Sequence, residues 1–88
     1  PRSGREIYQK KKQGTHMTIG ERIRLERKIL GITQTELAKK IGSTKQTVYK
    51  YETGIITNIP PRKIELLADV LNVLPAYLIG WEKAKRKP

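Results

Sequence analysis

Apolar residues between positions 17 and 81 recur at helical spacing, and glycine, proline and capping residues separate the runs. In the first run, three apolar residues share a narrow arc at 100° per residue: Ile19, Ile23 and Leu30. Thr18, followed by Glu21 three residues later, forms a capping-box pattern that would start a helix here. Gly31 would end it in the left-handed conformation. The run therefore predicts an amphipathic first helix.

A second, shorter helix is predicted after Gly31 by the same signals. Thr33 followed by Glu36 repeats the capping-box pattern. Gly42 would end this helix after about two turns. Its apolar face consists of Leu37, Ala38 and Ile41.

A third helix is predicted over residues 45–52, after the N-cap residues Ser43 and Thr44 and before Gly54. The second and third helices are therefore joined by a tight turn that contains Gly42. Two short helices with such a turn form a helix-turn-helix, whose second helix enters the DNA major groove. An ordinary αα-hairpin in a helical bundle fits this spacing as well.

The third helix has two chemically different faces when its residues are placed at 100° intervals. Three residues point inward: Val48, Tyr51 and Glu52. The opposite face has no acid and consists of Lys45, Gln46, Thr47, Tyr49 and Lys50. Gln can pair with adenine and Lys can donate to guanine in the major groove. Because a merely solvated face usually mixes charge signs, this face favours DNA binding over the αα-hairpin.

Two further helices complete a compact all-α fold of five helices. The fourth would begin at the Pro60-Pro61 pair, since proline is tolerated in a first turn, and would end at Asn72. Its apolar face is Ile64, Leu67, Ala68 and Leu71. Pro75 would start the short fifth helix, which runs to Ile79. The sequence shows no alternating pattern of the kind that predicts strands.

Charge supports a polyanionic partner but is unevenly distributed. The 88 residues carry a net charge of +11, with a pI of about 10.2. Residues 1–16 contribute +4 and residues 82–88 contribute +3, which leaves +4 for residues 17–81. We expect a basic flexible tail at 1–16, the helix-turn-helix domain at 17–81, and a basic tail or linker at 82–88. Residues 1–16 are either a cloning remnant ending at His16-Met17 or a genuine extension.

Composition argues against catalysis, a metal site and a membrane span. The chain has no cysteine and a single histidine, and neither serine lies in a recognisable nucleophile motif. Its glycines match no phosphate-binding loop. No apolar run approaches the roughly eighteen residues of a transmembrane helix. We expect a cytoplasmic protein that is not an enzyme and has no catalytic, cofactor or metal site.

Three segments together resemble the lambda-type phage repressor and Cro helix-turn-helix proteins, the XRE family: ITQTELAKKIG, STKQTVYKYE and PAYLIGW. The resemblance covers residues 18–81. It implies a five-helix, lambda-repressor-like domain that binds a double-stranded DNA operator as a homodimer, most simply as a prokaryotic or phage transcriptional repressor. It leaves open whether the chain is a whole regulator or part of one that continues into a dimerisation or peptidase domain.

The resemblance also implies site residues. Gln34 would contact a phosphate, with Thr33 as the cap of its helix. Further DNA contacts would come from the turn and the third helix: Ser43, Thr44, Lys45, Gln46, Thr47, Tyr49 and Lys50. Tyr49 is either a DNA contact or a half-exposed aromatic packed over the second helix. Arg62 and Lys63 would contact phosphates at the start of the fourth helix, or form a solvated pair of charges.

Structural roles follow from the same resemblance. Glu52 on the inner face of the third helix would pair with Arg27, although Arg27 could instead contact a phosphate. Glu26 lies in the apolar arc of the first helix, where Arg22 could pair with it. Leu74 stands where relatives have a capping serine, which leaves the fifth helix without that cap. Independently of the resemblance, the apolar cluster at the end of the domain either closes the core or, where it is exposed, offers a dimer patch: Leu78, Ile79 and Trp81.

A protein-interaction module of the same fold, such as an antitoxin, is the alternative function. An antitoxin should carry an apolar extension that wraps its toxin, whereas the AKRKP end here is basic and short. The acid-free face of the third helix favours the DNA-binding regulator.

Overall fold

The computed structural model describes residues 17–81, and the predictions made for residues 1–16 and 82–88 lie outside them. Five helices and no strand occur in this segment. They are α1 (Ile19–Leu30), α2 (Gln34–Lys40), α3 (Lys45–Thr53), α4 (Pro61–Leu71) and α5 (Pro75–Leu78). None of them is long and apolar enough to cross a membrane. The predicted all-α class and helix order are confirmed.

Reciprocal capping boxes start α1 and α2, as the sequence predicts. At α2, the Glu36 N–H donates to Thr33 Oγ1 at 3.0 Å and the Thr33 N–H donates to Glu36 Oε1 at 2.7 Å. The matching pair at α1 is Thr18 with Glu21, at 2.9 and 3.1 Å. The backbone hydrogen bond from Thr33 lowers the pKa of Glu36, because it stabilises the charged carboxylate. Both helix starts are therefore set by local sequence.

The remaining helix ends also follow local signals. Thr44 caps α3, since its hydroxyl accepts from the Thr47 N–H at 3.2 Å. Asn72, at φ 59°, ends α4 in the left-handed conformation. Leu74 makes no side-chain cap at the start of α5, which agrees with the missing serine. Pro75 occupies the first position of α5, where the backbone N–H that proline lacks would have no partner within the helix.

The core lies where α1 meets α3, α4 and α5, while α2 packs on α3. Its fully buried side chains include Ile23, Leu37, Val48 and Leu67. Leu30, expected on the buried face of α1, is instead 46% exposed. The chain turns at Gly31, and the following Ile32 packs against the core in that region.

The apolar end of the domain divides between core and surface. Tyr77 and Leu78 are buried, whereas Ile79 is 38% exposed and Trp81 is 82% exposed. The prediction that Leu78 belongs to an exposed dimer patch is therefore wrong, because α5 packs on α1 and α4 and encloses this side chain in the core. Ile79 and Trp81 are still exposed on the surface.

Polar contacts tie α5 to α1. The Tyr77 hydroxyl donates to Glu26 Oε2 at 3.0 Å, and the carboxylate of Glu26 is almost completely buried. The guanidinium of Arg22 lies 5.6 Å from the centroid of the Tyr77 ring and also bonds the Met17 carbonyl. The sequence suggested Arg22 as the partner of Glu26, whereas the hydrogen bond from Tyr77, which is 51 residues away, was not predicted.

Gly20 allows the backbones of α1 and α3 to approach closely. A Cβ atom at this position would lie 2.1 Å from the carbonyl oxygen of Tyr51 and 2.9 Å from that of Glu52. Both atoms belong to backbone that is fixed by helix α3. The glycine is therefore required by the distance between the two helices.

We expect Gly20→Ala to destabilise the domain by roughly 1–3 kcal/mol or more, as overpacking against backbone does. The loss would occur even though alanine favours a helix over glycine by about 1 kcal/mol. Urea unfolding followed by circular dichroism measures the change. Arg24→Ala, at an exposed position of the same helix, is the control and should lie within about 0.5 kcal/mol of the parent. A Gly20→Ala protein as stable as the parent would contradict this account.

Candidate nucleic-acid interface

The turn between α2 and α3 is closed by backbone hydrogen bonds. Gly42 adopts a left-handed φ of 68°, and the N–H of Ser43 donates to the carbonyl of Ala38 at 2.8 Å. Ala38 is buried on the inner side of α2, where a small residue lets α3 pack closely. The two helices are therefore held as one unit with a fixed angle.

The outward face of α3 presents the side chains that the helical wheel predicts. Lys45, Gln46 and Tyr49 are exposed, and Thr47 and Lys50 are partly exposed. Val48, Tyr51 and Glu52 are buried on the opposite side. Thr44 and Thr47 form a hydroxyl contact of 3.1 Å beside the helix start. The face is thus a set of donors without a carboxylate.

A shallow cleft lies between the start of α2 and the outward face of α3. Its volume is about 330 Å³ and it is lined by Gln34, Lys45, Gln46 and Tyr49. Tyr49, which is 48% exposed, forms one wall. The sequence predicts DNA contact for Gln34, Lys45 and Gln46 and leaves Tyr49 open between DNA contact and packing over the second helix. The structure brings the four residues together.

A buried ion pair holds α3 against α1. Arg27 Nε donates to Glu52 Oε2 at 2.7 Å and Arg27 Nη2 donates to Glu52 Oε1 at 3.1 Å. Only 11% of the Arg27 side chain and 2% of the Glu52 side chain are exposed. Arg27 Nη1 also donates to the carbonyl of Ile32 at 2.9 Å. This bidentate geometry ties Arg27 to Glu52, as the resemblance implies.

Gln34 joins the same carboxylate from α2. Its Nε2 donates to Glu52 Oε1 at 3.1 Å, so the amide is oriented by the ion pair behind it. Sequence reasoning missed this bond, because position 34 was considered only for phosphate contact. A Gln opposite a buried acid on the facing helix was the available signal. Phosphate contact by Gln34 stays a prediction. Because Gln34 also lines the cleft, its bond to Glu52 orients one side of the cleft.

The two basic residues at the start of α4 are placed differently. Arg62 is exposed. Lys63 is partly buried, and its Nζ donates to the carbonyl of Ile41 at 2.6 Å and to that of Gly42 at 3.5 Å.

Two further residues that the sequence predicts as DNA contacts lie near the ends of α2. Thr33 caps α2 through its hydroxyl, and Ser43 is partly buried in the turn.

The chain matches the model of a protein family described as helix-turn-helix. The match covers residues 23–78, more than half of the sequence. The chain belongs to the XRE-type helix-turn-helix family. In this motif α2 is the first helix and α3 the second.

Among its relatives are HTH-type transcriptional regulators of unassigned role. One from Sinorhizobium medicae (strain WSM419) and one from Rhizobium meliloti (strain 1021), R00410, are each 34% identical over 64 residues, or 73% of this chain. A third from Sinorhizobium fredii, y4wC, is 36% identical over 59 residues, or 67% of this chain. The matched part spans 41–45% of the length of these relatives.

A solved structure resembles the fold closely. It is the P22 c2 repressor protein in complex with the synthetic operator 9T in the presence of Tl⁺. The TM-score is 0.70 with 29% identity, over 75% of this chain and 98% of that one.

The Arg27 and Glu52 pair predicts a specific pattern of stability changes. Arg27→Met or Glu52→Leu alone should cost about 3–5 kcal/mol, because each leaves one buried charge without its partner. The double variant should lose less free energy of unfolding than the sum of the two single losses, because it leaves neither charge unpaired. Chemical unfolding of all four proteins gives the coupling free energy. Strict additivity of the two losses would show that the pair does not act as a unit.

Proposed function

We propose that this chain is the DNA-binding domain of a prokaryotic transcriptional regulator, which acts in the cytoplasm by binding a double-stranded operator as a homodimer and represses transcription by occupying it. The observation that carries the proposal is the exposed, acid-free face of α3, held in place by a buried ion pair. Membership of the helix-turn-helix family supports it. The similarity to a repressor that was solved with an operator supports it further.

Base recognition would come from the first turns of α3. Gln46 is exposed. Its side-chain amide can donate a hydrogen bond to adenine N7 and accept one from the adenine N6 amino group. Lys45 and Lys50 lie on the same face and can donate to guanine O6 and N7. The inward packing of Val48 and Tyr51 would leave these polar side chains directed into a major groove.

Phosphate contacts would position the domain without reading sequence. Gln34 and Thr33 stand at the start of α2, and Ser43, Thr44 and Thr47 at the start of α3. Tyr49 would contact the DNA from the wall of the cleft. Arg62, exposed at the start of α4, would add a charge-assisted contact on the flank.

A dimer would place two copies of α3 about 34 Å apart, in successive major grooves on one face of the DNA. Ile79 and Trp81, at the end of α5, form an exposed apolar pair suited to a symmetric contact. RNA polymerase would then be excluded from DNA that the dimer covers.

We expect Gln46→Ala to relax the preference at one base pair in each half-site, at a cost of about 1–3 kcal/mol in specific binding. The operator is first obtained by selecting bound sites from random DNA at a stated salt concentration. Affinities for that operator and for random DNA are then measured side by side. Gln46→Glu is the contrasting variant: its added negative charge should weaken binding to both DNAs. Equal losses on both DNAs for Gln46→Ala would exclude Gln46 as a base reader.

We expect the double variant Ile79→Ser with Trp81→Ser to reduce self-association while the domain stays folded, because both side chains are exposed. Sedimentation velocity over a range of protein concentrations measures the change, and circular dichroism checks the fold. Ile55→Ser, at a 63% exposed loop position, is the control for removing surface apolar area. Self-association that is the same in the parent, the control and the double variant would show that these residues do not form the dimer patch.

A further inference from the structure

Lys63 bonds the protein's own backbone at the point where α2 turns toward α3. Its Nζ is 2.6 Å from the carbonyl oxygen of Ile41, the C-cap residue of α2, and 3.5 Å from that of Gly42. A Cβ atom built on Gly42 would lie 3.9 Å from the same nitrogen. Arg62, the preceding residue, is exposed.

These carbonyls are suited to a cation. The last carbonyls of a helix have no partner within the helix, and they carry the negative end of the helix dipole. The N–H of Ile41 bonds back into α2, at the carbonyls of Leu37 and Ala38. An ammonium group has three donors and no acceptor, so two carbonyls take up most of its capacity. At most one of the three donors of Lys63 is left for a DNA phosphate while both carbonyls are bound.

The position of the bond gives it a mechanical consequence. α4 packs on α1 and α5, whereas α2 packs on α3. Lys63 therefore connects the two parts of the domain at the turn that sets the angle between α2 and α3. A shift of this turn would move Lys45 and Gln46, which follow it directly.

We propose that Lys63 is a positioning residue, which braces the turn between α2 and α3 and so fixes how α3 is presented to the bases, while its neighbour Arg62 makes the phosphate contact. The proposal rests on the proposed function for its effect on DNA binding. The brace itself is a property of the free protein.

The neighbouring pair offers a matched experiment. Lys63→Met and Arg62→Met each remove one positive charge and keep an unbranched stem. Affinity for the selected operator and for random DNA is measured across a range of salt concentrations, well below the unfolding temperature. For Arg62→Met, the slope of log K against log salt should become less negative by about 0.9 for each protomer bound, with similar losses on both DNAs.

Lys63→Met should behave differently. The slope of log K against log salt should stay that of the parent. The ratio of operator to random-DNA affinity should fall about three- to tenfold for each protomer bound, the equivalent of one lost hydrogen bond per protomer. Lys63→Arg, which can still donate to the carbonyls, should recover most of the ratio. A slope that becomes less negative by as much as in Arg62→Met, with equal losses on both DNAs, would overturn the proposal.

A second measurement needs no DNA. The Ser43 amide, bonded to Ala38, should exchange its hydrogen faster in Lys63→Met than in Arg62→Met or the parent. Unchanged exchange at this turn would overturn the brace. Failure of the parent to select any DNA site would instead count against the proposed function alone, since the exchange result stands independently of it.

Discussion

The carboxylate of Glu52 connects three helices of this domain. From α3 it accepts two hydrogen bonds from Arg27 on α1 and one from Gln34 on α2. In a site this buried, an acid without partners would be strongly destabilising, so Glu52 depends on the hydrogen bonds that Arg27 and Gln34 donate to it. The geometry of the helix-turn-helix relative to the rest of the fold therefore depends on one charged group.

The close contact at Gly20 brings α1 against the backbone of Glu52 itself. Because α1 carries no side chain there, its backbone lies against the last turn of α3 and covers Tyr51 and Glu52. A rotation of α3 about its own axis would drive its carbonyl oxygens into α1 and break the ion pair. Sterics and electrostatics thus fix the same angle, and the outward face of α3 is aligned by both.

Local signals in the sequence were sufficient for the elements of the fold. The capping residues Thr18, Thr33 and Thr44 act within three residues of their partners, and helical periodicity placed Val48 and Tyr51 on the inner face. The pairing of Arg27 with Glu52 was suggested by family resemblance, because periodicity identified a buried acid but not its partner.

The contacts that escaped prediction join long side chains across the fold. Gln34 reaches Glu52 over 18 residues, and Lys63 reaches Ile41 over 22. The sequence suggested phosphate contact for Gln34, and for Lys63 either phosphate contact or a solvated pair of charges with Arg62, because a flexible polar side chain near a helix start suits several uses. Leu78 was misplaced for a related reason: α5 has four residues, too few for a periodic pattern to separate its buried side from its exposed side.

The division of α3 into an anchored side and an open side has an evolutionary consequence. The anchored side is buried against the rest of the domain and consists of Val48, Tyr51 and Glu52. The open side is exposed and includes Lys45, Gln46 and Tyr49. Surface positions of this kind tolerate substitution at small cost in stability. On the proposed function, new DNA preferences would arise by single substitutions on the open side with the scaffold unchanged, so that related regulators would diverge in target while keeping one fold.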